Sequence, residues 1–348
     1  MPVSGISLEE CLNLKALPSY DFIFSLADKA CKVLLKEDVS YRPQNCLGEP
    51  GSLLELPDLP AVLVPDIHAR PDFIKNILAC KLPSDFCGEE LTVEQALKNK
   101  KINLICVGDA VHSELYSERW GLISLEFEKG EYAGLYMQEE MLLNISVVAS
   151  LMKLKILYPE NFHFLKGNHE NILNSNLGGD YAFFKYADEG EMVKAFMLKQ
   201  YDEKLLNKIA KYENSLPLLA YGSNYVVSHA EPAGAYSREE LIDAKFEEGV
   251  VEGLIWTRNG QVTEPTALAI MNKLLGKKEA KKSLYFAGHR PVRGTYNLRQ
   301  DGRLVQIHNP RAQNIFLVDN KRKFDFSKDI INTKTKLIKK GEAGKDGR

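Results

Sequence analysis

The sequence predicts an α/β fold of layered, α+β type, and three observations predict it. Short apolar runs, too short for helices, alternate with longer stretches of helical spacing. The C-terminal third then turns into a succession of strand-like segments separated by turn residues. Polar residues stand directly after the apolar runs, where α/β sheets place their ligands. With 348 residues, 45% hydrophobic and 26% charged, the chain is long enough for a large buried core and ordinary for a soluble enzyme.

The elements follow in order. Residues 1–58 read as a helical extension, since Phe24, Ala27, Ala30, Val33 and Leu34 fall near one helical face. A Pro-, Gly- and Asn-bearing loop over 42–51 follows. The run 61–65 is a buried strand, and Pro71 suits the first turn of a helix reaching about 82. A second buried strand covers 102–107. A long helix covers 137–157, with Met141, Ile145, Val148, Leu151 and Leu154 on its apolar face. A third strand covers 162–166, and a charged helical region 189–212. Strands 218–221 and 225–228 form a hairpin through Gly222-Ser-Asn. A strand over 283–287 precedes an expected β-meander of 295–299, 304–308 and 315–318. The expected domains are the extension 1–58, a catalytic domain 59–325 and a basic, flexible tail 326–348.

Composition excludes several classes. A formal net charge of −2 carries no nucleic-acid or membrane-surface signature. The lysines and aromatics near Lys321, Phe324 and Phe326 read as a strand edge rather than a nucleic-acid face. No run approaches the roughly 18 apolar residues of a membrane span, and the first residues lack a basic and apolar leader. The six cysteines form no C-x-x-C pair and read as reduced thiols, so a cytoplasmic protein is expected, with no membrane and no nucleic acid among its partners.

The chemistry gathers at strand ends. The first strand ends in Asp66-Ile-His68, the second in Gly108-Asp109, the third in Gly167-Asn168-His169-Glu170. The hairpin ends in Ser228-His229, and a later strand in Gly288-His289. Each motif alone is weak: a lone Asp-x-His is commonly a cap, a lone histidine a core hydrogen bond. Five in this order make a metal site. Mixed carboxylate, imidazole and amide donors suit Mn²⁺, Fe or Zn²⁺ better than an all-oxygen Mg²⁺ cage.

This order of motifs resembles the calcineurin-like metallophosphoesterases, most of all their Ser/Thr protein phosphatase branch and its bacterial relatives, over about residues 61–320. The resemblance implies a central β-sandwich flanked by helices and a metal-dependent phosphatase. It implies two divalent cations, one on Asp66, His68 and Asp109, the other on Asp109, Asn168, His229 and His289. Two such ions, about 3.5–4 Å apart, acidify a bridging water and clamp a phosphoryl oxygen, so in-line displacement without a covalent intermediate is implied. His169 is then the general acid and Glu170 an orienting partner. Arg258, in Trp256-Thr-Arg258, is similar to a phosphate-reaching arginine of the bacterial relatives. Arg70 and Arg290 are further substrate-binding candidates through bidentate phosphate contacts.

The chain also departs from that pattern. The family's Gly-Asp-x-Val-Asp-Arg-Gly is here Gly108-Asp-Ala-Val-His112-Ser113-Glu114, which removes the aspartate that supports the acid and an arginine that holds phosphate. His112 or Glu114 is expected to support His169, and Arg70, Arg119 or Arg290 to replace the lost fork. Gly288-His289-Arg-Pro lacks the Gly-His-x-His of the cyclic nucleotide and nuclease branches. The expected substrate is a phosphorylated small molecule or phosphoprotein. The alternatives are a nucleotide polyphosphate hydrolase and a phospho-ligand-binding scaffold of weakened activity.

Overall fold

The structure, a computed structural model, describes residues 7–334. Eleven strands occur among the described residues: β1 (Leu53–Glu55), β2 (Ala61–Val64), β3 (Asn103–Cys106), β4 (Phe162–Phe164), β5 (Leu219–Tyr221), β6 (Tyr225–Ser228), β7 (Leu284–Ala287), β8 (Asn297–Arg299), β9 (Leu304–Gln306), β10 (Asn314–Val318) and β11 (Ile330–Asn332). They form a six-stranded sheet ordered β1-β5-β6-β7-β9-β8 and a five-stranded sheet ordered β11-β10-β2-β3-β4. Helices flank both, giving the layered α/β arrangement of a β-sandwich between helical layers.

Strand alternation explains the layers. In β2, Ala61 and Leu63 face the other sheet, while Val62 and Val64 face helices. Both faces are therefore covered, and all four residues are buried. The inter-sheet layer joins Leu63, Ile105 and Phe316 of one sheet to Val227, Phe286 and Val305 of the other. Helix Leu135–Leu157 packs on the outer face of the five-stranded sheet, and helices Val250–Ile255 and Thr266–Leu275 on that of the other.

Strand direction positions the site. In one sheet β2, β3 and β4 run parallel, and in the other β6, β7 and β9 run parallel. The carboxyl ends of these six strands meet along one rim of the sandwich.

The expected meander is corrected. β8 and β9 pair antiparallel in the six-stranded sheet, but the third segment crosses to the other sheet as β10, antiparallel to β2 and β11. β9 already has β7 and β8 as neighbours, which leaves it no free edge. The apolar β10, buried at every residue, needs a covered central place instead.

The N-terminal segment shares the main core. Helix Tyr20–Leu34, capped by Ser19, buries Leu26, Ala27, Ala30 and Leu34 in the cluster that also holds Met152 and Ile209. β1 adds an edge strand to the six-stranded sheet by pairing with β5. At the other end the chain stays in the fold beyond residue 325, because Ile330–Asn332 pairs with β10 and Asp329 is buried against Arg322. The rest of the expected tail, 335–348, lies outside the described residues. Phe324 and Phe326 pack over Phe286 and Tyr296. No helix among the described residues is long and apolar enough to cross a membrane.

A buried ionic cluster ties the extension to the core. Glu37 makes ion pairs with Arg42 and with Lys155 of helix Leu135–Leu157. Arg42 also donates to Gly51 O and Ser215 O at 2.8 Å each, and Lys155 to Pro159 O at 2.7 Å. Burial by itself would raise the Glu37 carboxyl, but the two cations override it and hold it down at about 2 against an ordinary 4.5. A depressed carboxylate stabilises the fold above its unfolded value, and that contribution fades as pH falls from about 4.5 through about 2. Glu37→Gln is expected to lower stability at pH 7 by about 3–5 kcal/mol, since it leaves buried cations unpaired. The deficit should shrink towards pH 2, as read by denaturant unfolding at several pH values.

Candidate metal centre and reaction cleft

The polar side chains reach the rim because the backbone turns sharply there. His68, Asp109, His112 and His289 all have positive φ, between 45° and 65°. Non-glycine residues rarely adopt that region, and clusters of such strain mark functional sites. Two glycines give the carboxylates room. A Cβ on Gly167 would lie 2.2 Å from Asp109 Oδ1, and one on Gly288 would lie 1.9 Å from Asp66 Oδ1. Glu170 ties two of the turns together, accepting from the backbone N–H groups of Gly167 (2.7 Å), Asp109 (2.9 Å) and Ala110 (2.8 Å).

Six of the sequence-predicted residues come together here. Asp66, His68, Asp109, Asn168 and His229 are buried, and His289 nearly so. His68 Nε2 lies 3.8 Å from Asp66 Oδ2 and 3.7 Å from Asp109 Oδ2. His229 Nε2 lies 3.3 Å from Asp109 Oδ2, and Asn168 Oδ1 lies 2.9 Å from His229 Nε2 and 2.8 Å from His289 Nδ1. Asp109 thus faces both halves of the cluster.

The proton positions test whether cations fit. His229 Nδ1 lies 3.0 Å from Val107 O, which can only accept, so Nδ1 carries the proton and Nε2 a lone pair. That lone pair points at Asn168 Oδ1 and Asp109 Oδ2, acceptors both. His68 repeats the arrangement, its Nδ1 directed at Val111 O (3.2 Å) and His112 O (3.1 Å). Burial holds the imidazoles of His68 and His229 near 4, hence neutral and able to ligate, and pushes the Asp66 and Asp109 carboxyls up. Asp66 Oδ1, Asn168 Nδ2 and His289 Nε2 have no hydrogen-bond partner although buried. Opposed lone pairs in a buried space are relieved by cations, so the residues fit divalent metal.

A cleft of about 320 Å³ opens over the cluster. Its lining includes His169, Phe183, Phe184, Lys185, Trp256, Arg258 and Arg290. His169 Nε2 is 3.6 Å from Asp109 Oδ2, and its Nδ1 is 2.8 Å from His112 Nδ1. His112 is thus the neighbour placed against His169, and Glu114 is not: it faces His68, His308 and Lys185. Phe183 packs on the His169 ring with centroids 3.6 Å apart. A smaller apolar cavity of about 50 Å³ lies behind His169 among Ile23, Met141 and Met197. Of the six predicted ligands it touches only Asn168, whereas His68, Asp109, Asn168 and His289 line the larger cleft, which is therefore the one that faces the cluster.

The arginines separate. Arg258 and Arg290 line the cleft, whereas Arg70 is placed otherwise than expected. Its guanidinium donates to the carbonyls of Asp66 (2.7 Å), Ile67 (2.8 Å), Pro310 (3.0 Å) and Ala312 (2.8 Å), and it is buried, so it braces the Asp66 turn and offers no fork to phosphate. Arg119 pairs with Glu140 (3.3 Å) and Glu139 (3.7 Å), and Ser113 donates its N–H to Glu140.

The family model of the calcineurin-like phosphoesterases matches residues 59–321. The chain belongs to that family. As a calcineurin-like phosphoesterase it is a metal-dependent enzyme acting on phosphoric esters. Its fold is similar to that of a protein serine/threonine phosphatase from Saccharomyces cerevisiae with similarity to human phosphatase PP5, at 17% identity over 90% of this chain and 89% of that chain, with a TM-score of 0.57. A cold-active protein tyrosine phosphatase matches at 14% identity over 78% of this chain and 77% of that chain, with a TM-score of 0.45. No curated protein matches the sequence of this phosphoesterase.

Sequence reasoning passed over three residues of the site. Phe183 and Lys185 sit in a segment with no local signal. His308 had one: Gln306-Ile-His308 places a histidine two residues after an apolar strand, the position that Asp66 and His229 also approximate.

Proposed function

We propose that this phosphoesterase hydrolyses phosphomonoesters at a binuclear metal centre, with phosphoproteins among the substrates its cleft suits. One observation carries the reading: Asp109 Oδ2 stands between the His68 lone pair and the His229–Asn168–His289 group, so one carboxylate serves two cation positions. When bound, the ions supply Lewis acidity to a phosphoryl oxygen and acidify solvent between them.

The chain's own residues supply the rest. His169 presents Nε2 to the cleft side of Asp109, and His112 fixes the ring through Nδ1; burial and the neighbouring histidines favour its neutral form, so the proton it passes to a leaving oxygen is one taken up with the anionic substrate. Arg258 and Arg290 bring positive charge to the cleft, which neutralises the phosphoryl group in place of the arginine that Ser113 replaces, while the Lys185 charge is balanced by Glu114. Arg258→Ala is expected to raise KM for an aryl phosphate about tenfold or more with little change in kcat, as steady-state kinetics would read.

The exposed Phe184 beside Lys185 favours one second reading, a nucleotide polyphosphate whose base stacks on the rim. The test is a chelated protein reconstituted in turn with Mn²⁺, Zn²⁺ and Fe²⁺ and assayed on phosphopeptide, aryl phosphate and dinucleoside polyphosphate. Metal-restored turnover of the monoesters at the higher kcat/KM is expected. Turnover confined to the anhydride moves the assignment to the second reading, and phosphate binding without turnover on any substrate makes the chain a binding protein.

A further inference from the structure

We infer that His308 is a fourth protein donor at the first cation position, beside Asp66, His68 and Asp109, and that Glu114 holds it there. The inference rests on the binuclear reading and adds to it a ligand from a sixth strand end.

His308 follows β9 and is fully buried. Its Nε2 lies 3.2 Å from Glu114 Oε2. A carboxylate only accepts, so Nε2 carries the proton and Nδ1 the lone pair. Nδ1 has no hydrogen-bond partner and faces Asp66 Oδ2 at 3.6 Å. Donor atoms of Asp66, His68 and His308 all lie within 4.8 Å of one another. Donors about 2.0–2.2 Å from an ion stand about 3–3.6 Å apart at ordinary coordination angles. The 3.6–3.8 Å separations of Asp66 Oδ2 from His308 Nδ1 and His68 Nε2 match that spacing within a few tenths of an ångström.

The competing reading makes His308 a doubly protonated bridge between Asp66 and Glu114. An imidazolium would close on the aspartate to about 2.8 Å, and 3.6 Å is too long for a hydrogen bond. The geometry is instead that of a carboxylate–histidine–metal relay, in which the outer carboxylate fixes tautomer and ring angle. Glu114 is itself held by Lys185 of the cleft lining, so the substrate rim and the first cation position share one carboxylate. The replacement of the family's second-motif glycine by Glu114 thus has a role: it completes the first cation position through His308.

The experiment is metal content by elemental analysis after gel filtration, with affinity from competition against a chromophoric chelator, using Zn²⁺ on the full-length protein. Wild type is expected to retain two ions per chain. His308→Ala and His308→Gln should each retain one, and Glu114→Gln should weaken one of the two by about 10–100-fold. Co²⁺-substituted wild type should lose absorption intensity at one site on going to His308→Gln. Two ions held with wild-type affinity by both His308 variants overturn the inference and leave the binuclear reading standing. Fewer than two ions in wild type overturn the binuclear reading itself. If His308 serves packing alone, its variants melt earlier as metal-free protein while still binding two ions, which also overturns the inference; metal-free melting temperatures supply that control.

Discussion

Asp109→Asn is expected to empty both cation positions and to cut kcat/KM by about 10³-fold or more, equivalent to roughly 4 kcal/mol of transition-state stabilisation. The size follows from sharing. Asp109 Oδ2 is 3.7 Å from His68 Nε2, 3.3 Å from His229 Nε2 and 3.6 Å from His169 Nε2, so one charge serves every part of the proposed centre. Asparagine keeps the shape and an oxygen that can accept the His169 N–H, now 3.1 Å from Asp109 Oδ1, so the turn should hold. Burial already pushes the aspartate towards its neutral form, and removing the charge should leave the metal-free fold no less stable. Elemental analysis, turnover and thermal melting of one preparation separate these effects. A variant that keeps both ions and a tenth of the activity would refute the shared-carboxylate reading.

His169→Gln is expected to lower kcat on alkyl phosphates by about 10²–10⁴-fold while metal content stays at the wild-type value. His169 is joined to His112 through Nδ1 and leaves Nε2 towards the cleft. A general acid matters most for a poor leaving group, so the loss should shrink on an aryl phosphate whose phenol leaves readily. An equal loss on both substrates, or a loss of metal, would assign His169 to ligand positioning instead of proton transfer. Phe183, packed against the ring, shields that proton from solvent on one side.

The site's donors were legible in local sequence because each stands where an apolar run breaks. A buried strand of four residues such as Ala61–Val64 must end in groups that can turn, and Asp66 and His68 follow at once. The same holds for Gly108-Asp109 after β3 and for Gly288-His289 after β7. Arg70 misled for a related reason: proximity to Asp66 in sequence places it near the centre, yet says nothing of which way its guanidinium turns. Four backbone carbonyls, two of them 240 or more residues distant, claimed it.

By itself the sequence determined the layered α/β class, the buried strands, the hairpin at Gly222 and the five strand ends that carry metal-capable side chains. These depend on period, turn chemistry and burial, all written within a few residues. Tertiary structure alone decided that β10 leaves the expected meander, that His112 and not Glu114 meets His169, and that His308 joins the cluster. In an all-antiparallel meander neighbouring strands end at opposite rims; because β9 runs parallel to β7, its carboxyl end brings His308 to the same rim as His289. Strand direction within a sheet is set by pairing between distant segments, and no local spacing records it.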